Sequence, residues 1–310
     1  MQIDYGIFYS SLATIVLIIA VGYFISKMKW FNESANKAIV TILLNIGLPC
    51  ALFYSFPGEF SQQHLTNFLW GVGGGILVFL AAVVVSKILF PRKRNPKNYY
   101  ESQFAYIFNN ASFLGFPLVS AIFGQDGLVP YSGFIIIFSI TLFGYGAPLV
   151  SGRLHIKDIL KAFINPNVIA VILGFLVFLF SLQLPKFASD TIHYVGSITT
   201  PMSLICIGFM LSRAKIRQVF RKFNVVFVCA AQLLIGPMLT FAVLKLIGAP
   251  HSVISILVLI QALPTATTLA LFAEKYRDDT GNASEIVAVS TVLSAVSLPI
   301  IIMVMNVINK

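Results

Sequence analysis

The chain has 310 residues, 58% of them hydrophobic and 10% charged, with a mean hydropathy of +0.90. That balance excludes an ordinary soluble domain and indicates a protein that crosses the membrane several times. The net charge of +10 does not indicate nucleic acid, because the basic residues stand in short stretches between apolar runs, where they set topology.

At about 20 apolar residues per crossing, ten spans are predicted in chain order, over 7–26, 36–56, 67–90, 102–123, 128–150, 165–183, 190–211, 224–247, 251–273 and 284–307. The first run has Asp4 and no basic residue ahead of it, and the positive charges follow, which is the order of an uncleaved first span. Lys27, Lys29 and Lys37 follow span one; Lys87, Arg92, Lys93, Arg94 and Lys97 follow span three; Arg153, Lys157 and Lys161 follow span five. Arg213, Lys215, Arg217, Arg221 and Lys222 follow span seven, and Lys275 and Arg277 follow span nine. That places 18 of the 21 basic residues on one side and leaves Lys186, Lys245 and Lys310 for the other. The bias predicts a multi-pass protein of the cytoplasmic membrane with both termini extracytoplasmic. Cys50, Cys206 and Cys229 lie within apolar runs, without metal-ligand spacing, and are read as packing residues.

Five spans precede the basic stretch 151–164 and five follow it. The segments 1–150 and 165–310 therefore enter the membrane in opposite orientations, as two inverted five-helix repeats joined by a cytoplasmic linker. The punctuation agrees. Pro49 in span two and Pro201 in span seven stand 152 residues apart, and Pro117 in span four and Pro264 in span nine stand 147 apart. Each has polar neighbours: Asn45; Thr199, Thr200 and Ser203; Asn110; and Gln261 with Thr265.

The fourth span is apolar enough for a bilayer, yet it holds Asn109, Asn110, Ser112, Gly115 and Pro117. Hydrocarbon cannot satisfy the backbone groups that a Gly-x-Pro step releases, so such a break survives only within protein or beside a watery cavity. Breaks are predicted near Gly115–Pro117 and near Pro264. Two adjacent amides at that depth are either ligands for a polar guest or ties between helices. Asn110 is the first candidate for substrate contact, since its NH2 donates to a carboxylate and its oxygen accepts from a hydroxyl. Asn109 points about 100° away on a helix and is the second. Gln261 and Thr265, on either side of Pro264, are the next candidates. Asn45 and Pro49 read as a helix tie and a bend, with lining of the substrate path as the other reading.

These residues resemble the auxin efflux carriers and their bacterial relatives in the bile-acid-transporter-like superfamily. The likeness rests on four blocks in order. They are Ile46-Gly-Leu-Pro-Cys-Ala-Leu-Phe-Tyr-Ser-Phe56; Asn110 with Gly115-Phe-Pro-Leu118 and Ile-Phe-Gly124; Asn165-Pro166-Asn167; and Gln261-Ala-Leu-Pro264 with Phe272-Ala-Glu-Lys-Tyr276. Asn165-Pro166-Asn167 matches the opening of the plant carriers' Asn-Pro-Asn-x-Tyr signature, but Ile169 stands where the Tyr belongs. A capping Asn followed by Pro is also a helix start in its own right. The short linker departs from the long hydrophilic loop of plant carriers, and the chain is similar to compact prokaryotic members such as malate or malonate permeases. The resemblance implies ten helices with broken, crossing helices four and nine. It also implies a scaffold of spans one, two, six and seven interleaved with a transport domain of spans three to five and eight to ten. Dimerisation and elevator-type alternating access are implied in the same way.

Several chemistries are not expected. Gly71, Gly73, Gly74 and Gly75 lack the Lys-Ser/Thr of a phosphate loop and read as close helix packing. No His pair has metal spacing, and no cofactor is indicated. All eleven acidic residues fall in loops or near span ends, so neither a mid-membrane carboxylate nor an intramembrane aspartyl dyad is expected. A site of amides and helix ends favours an anion. The chain is therefore read as a non-enzymatic secondary transporter for a small organic mono- or dicarboxylate, in contact with membrane lipid and homodimeric, with no nucleic-acid partner and a proton or sodium as the candidate coupling ion. A sodium-coupled symporter of bile-acid-carrier type and a non-transporting membrane receptor are the alternatives.

Overall fold

The computed structural model describes residues 5–56, 60–93, 98–153, 163–213, 222–276 and 281–308. Arg94, Lys97, Lys157, Lys161, Lys215, Arg217, Arg221, Arg277 and Lys310 lie outside these residues, as does most of the linker expected over 151–164. The described chain is helical: α1 (Tyr5–Lys27), α2 (Glu33–Ile42), α3 (Leu48–Phe53), α4 (Gln62–Leu89), α5 (Tyr99–Ile107), α6 (Phe116–Thr141), α7 (Ala147–Ser151) and α8 (Pro166–Leu179). There follow α9 (Lys186–Ser197), α10 (Thr199–Arg213), α11 (Phe223–Ala230), α12 (Gly236–Leu246), α13 (His251–Gln261), α14 (Thr268–Tyr276) and α15 (Gly281–Ile308). Six helical stretches are long and apolar enough to cross a membrane, and Ala13–Lys27, Pro166–Leu179 and His251–Gln261 are apolar but shorter.

Proline writes much of this punctuation. Four π-helical turns, Leu43–Gly47, Ala111–Gly115, Leu142–Gly146 and Ala231–Ile235, join helices, and two residues after the end of each stands Pro49, Pro117, Pro148 or Pro237. A proline ring collides with the carbonyl four residues back and offers no N–H. Widening the turn by one residue relieves the collision without ending the helix. The residue ahead of the proline accordingly bonds five residues back: Leu48 to Leu43, Ala147 to Leu142, Gly236 to Ala231. This corrects the expectation for the fourth span. Gly115 closes a π turn and Pro117 lies in the first turn of α6, while the interruption itself falls earlier, at Phe108–Asn110. Pro49 likewise begins α3 without breaking the helix. Pro201 stands in the first turn of α10, where no intrahelical N–H is required. The stretch labelled α6 is two helices that meet at a kink at Gly124, with φ 63° and ψ −156°, in the gap expected between spans four and five.

The chain divides into two interleaved units. One comprises 1–72, 112–136 and 163–213; the other comprises 73–111, 137–162 and 214–310. In the first, α1 lies along α10 with backbones nearly touching. A Cβ on Gly22 would come within 2.3 Å of the Ile205 carbonyl oxygen, and one on Gly208 within 2.1 Å of that of Ile19. Gly71 approaches the Pro130 carbonyl as closely, whereas Gly73 meets nothing within 4 Å, so only part of the glycine run is close packing. Buried hydroxyl pairs, Ser26 with Ser212 and Ser55 with Ser132, each at 2.6 Å, tie helices of this unit.

In the second unit α11 packs on α15, α12 on α13, and α14 on α7 and α15. Phe104 and Phe108 anchor the end of α5 with ring centroids 4.7 Å apart, and Phe79, Phe138 and Phe272 pack about them. The first turn of α15 holds two other helix starts: Asn282 donates to the Glu101 carboxylate, and Glu285 pairs with Lys222 at 2.7 Å. Glu101, which the sequence places near a span end, is only 1% exposed.

Candidate functional site

Two helices of the second unit stop in mid-course and repair each other. Helix α5 ends at Ile107, and Phe108 turns extended with φ −107° and ψ 109°. Helix α13 ends at Gln261, and Pro264 lies in a non-helical stretch before α14. Asn109 and Thr265 pair antiparallel across the gap. The Asn110 N–H donates to the Pro264 carbonyl at 2.6 Å, and the Ala266 N–H to the Phe108 carbonyl at 2.9 Å. Buried backbone groups must find partners somewhere, and here each break supplies those the other has lost.

Side chains complete the repair. In an unbroken α5, the Ala105 and Tyr106 carbonyls would accept from the N–H groups of residues 109 and 110. Instead Thr265 Oγ1 donates to Ala105 and Gln261 Nε2 to Tyr106, both at 3.5 Å. On the other strand, Gln232 Nε2 donates to the Leu263 carbonyl, and the Thr265 N–H donates to Ser290 Oγ at 3.1 Å. Asn109 Nδ2 donates to Gln261 Oε1 at 3.0 Å. All these side chains are buried, from 0% exposed at Thr265 to 3% at Gln261. The orientations follow from the acceptors: backbone carbonyls require the NH2 ends of Gln232 and Gln261, which leaves Gln261 Oε1 to receive Asn109. Asn109 Oδ1 and Gln232 Oε1 are then enclosed without a hydrogen-bond partner among the described residues.

Asn110 differs from its neighbour. Successive side chains on an extended strand point to opposite sides. Asn109 turns toward Gln261, whereas the Asn110 amide makes no hydrogen bond to a described residue, although Asn110 is only 3% exposed.

The sequence candidates thus separate. Asn109, Asn110, Gln261, Pro264 and Thr265 come together in one unit, while Asn45, Pro49, Gly115, Pro117, Asn165, Pro166, Asn167 and Pro201 belong to the other. Asn45 is exposed and donates back to the Thr41 carbonyl at 2.8 Å. Asn165 caps α8, accepting from the Asn167 N–H at 2.9 Å, with Pro166 as the first helical residue. Sequence reasoning missed Gln232 and Ser290. A glutamine amid an apolar run, four residues before Gly236-Pro237, is a readable signal for the first. Ser290 is one of several serines at helical spacing in α15 and has no such mark. Among the described residues, no cluster of three or more His, Cys, Asp or Glu side chains is placed to hold a metal ion.

A family profile described as "Membrane transport protein" matches residues 7–155 and 150–302, nearly the whole chain. Curated proteins similar to it include an "Uncharacterized transporter" of Methanocaldococcus jannaschii, 21% identical over 90% of this chain and 93% of the relative. A protein of the same description from Methanothermobacter thermautotrophicus is 23% identical over 93% of this chain and 95% of its own length. A third, from Rhizobium meliloti, is named "Putative malonate transporter" and is 23% identical over 91% of this chain and 90% of its own.

Proposed function

The chain belongs to the membrane transport protein family, and on that premise we propose that it is a secondary transporter moving a small organic anion across the cytoplasmic membrane. The observation that carries this reading is the unengaged amide of Asn110 beside two paired helix breaks. The NH2 groups of Asn109, Gln261 and Gln232 are committed to protein acceptors, whereas that of Asn110 has no acceptor among the described residues and is available to a carboxylate. Interrupted helices beside a polar guest are a recurrent device of secondary transporters. The name of the Rhizobium relative makes malonate the first anion to test. Elevator-type alternating access enters this reading through the resemblance to the auxin efflux carriers, with the broken helices on the moving part. Ten spans in two inverted repeats, with both termini outside, complete the reading.

The test is uptake of labelled malonate, malate and monocarboxylates into proteoliposomes, with and without a pH gradient. Saturable uptake of one of them is the expected result, and none above protein-free liposomes refutes the reading.

One observation favours a second reading, sodium-coupled symport. Asn109 Oδ1 and Gln232 Oε1 are buried acceptors without donors among the described residues, and oxygen ligands of this kind suit a hard cation. Uptake that vanishes when sodium is replaced by potassium favours this reading, and sodium-independent uptake removes it.

A further inference from the structure

We infer that Gln232 and Ser290 are positioning residues for transport, setting the place of Asn110 without touching the substrate; this rests on the reading of Asn110 as the substrate contact. Gln232 donates to the Leu263 carbonyl, and the next carbonyl along, that of Pro264, receives the Asn110 N–H at 2.6 Å. One side chain from outside the strand thereby holds the peptide just before the one on which the Asn110 backbone hangs. Ser290 Oγ takes the N–H of the residue that follows, Thr265, at 3.1 Å, and donates to the Val287 carbonyl at 3.0 Å, which ties the same strand to α15. The strand 263–266 is therefore held from α15 at the Pro264–Thr265 peptide, whose carbonyl receives Asn110, and from the turn between α11 and α12 at the Leu263–Pro264 peptide before it.

The placement of Gln232 depends on local geometry that its own sequence dictates. It is the second residue of the π turn Ala231–Ile235, which Pro237 imposes. Gly236 lies one turn further on the same face, where a Cβ would stand 3.3 Å from Gln261 Cγ and Nε2. Four residues apart on one helix face, Gln232 reaches Leu263 while Gly236 admits Gln261. Gln232 and Ser290 are both 0% exposed, so their contribution comes through the strand they hold and not from an accessible surface.

A merely structural role would lower stability and leave the affinity of the folded protein alone. The discriminating measurement is a double-mutant cycle on malonate and malate binding, with purified Gln232→Met, Ser290→Ala, Asn110→Ala and the two doubles with Asn110→Ala. Gln232→Met keeps the bulk and removes the donor; Ser290→Ala is the milder variant, which carries the test if the first does not fold. The expected loss of affinity in each single is about three- to tenfold, the span of one ordinary hydrogen bond. In the Asn110→Ala background that loss should disappear, because the residue through which they act is gone. Singles that bind like wild type, or losses that persist undiminished beside Asn110→Ala, overturn the inference while leaving the Asn110 reading intact. An Asn110→Ala protein of wild-type affinity, or a wild type that binds neither anion, overturns both.

Discussion

Asn109 and Gln261, 152 residues apart in the chain, share a buried hydrogen bond of 3.0 Å that joins two interrupted helices. Neither break is stable alone, because the orphaned carbonyls of α5 are completed from the strand after α13, and the reverse holds for the backbone of that strand. The pair therefore acts on folding. Asn109→Ala and Gln261→Ala should each lower the melting temperature in detergent, with a coupling of about 0.5–2 kcal/mol in a double-mutant cycle. Asn109→Ala should leave malonate affinity of the surviving protein near wild type. Additive stability effects would dissolve the pair.

The extent to which the site was legible follows from what each residue does to the backbone. Pro264 announced its break because nothing in lipid replaces the missing helical bonds, whereas the adjacent amides Asn109 and Asn110 read as ligands or helix ties and not as the place where the other helix yields. Pro117 misled, since a π turn absorbs a proline without interrupting the helix, and the four residue pairs Leu48-Pro49, Phe116-Pro117, Ala147-Pro148 and Gly236-Pro237 all take that course. Which of two neighbouring asparagines is left without a hydrogen bond to a described residue depends on local extension at Phe108, and a helical period of about 100° per residue does not describe it. Ser290 was unreadable because its role is to meet one N–H of a strand 25 residues earlier.

Gly124 and Gly73 make opposite predictions from the same observation. A Cβ at either would meet nothing within 4 Å, so sterics between residues do not decide. Gly124 sits at φ 63° and ψ −156°, a region essentially closed to other residues, and Gly124→Ala should cost about 1–3 kcal/mol. Gly73 lies inside α4, and Gly73→Ala should stabilise by about 0.5–1 kcal/mol through reduced freedom of the unfolded chain. Melting temperatures of the two variants in one detergent check both signs.

Orientation is testable from the charge bias. Lys93, Arg153 and Lys186 are all exposed. In a background without Cys50, Cys206 and Cys229, cysteines at 93 and 153 should resist a membrane-impermeant thiol reagent in intact cells, and one at 186 should react. Ready labelling at 93 or 153 would reverse the proposed topology.

Asn110 carries the sharpest expectation. Asn110→Ala removes one donor to a carboxylate, and a hydrogen bond to a charged group contributes about 1.5–3 kcal/mol. Affinity for the transported anion should therefore fall by roughly 10- to 150-fold, while the protein folds normally, because the side chain holds no described residue in place. Asn110→Asp keeps the shape and replaces the donor by an acceptor. When ionised it repels an anion, so transport should be lost more completely than in the alanine variant, and acidification that protonates the new carboxyl should recover part of it. The ordering, aspartate worse than alanine, separates substrate contact from a tie between helices. A tie would make both variants less stable and leave the affinity of the folded fraction unchanged. Titrating malonate against both purified variants, with melting temperatures recorded on the same samples, decides the matter; equal affinities in all three proteins would remove Asn110 from the substrate path.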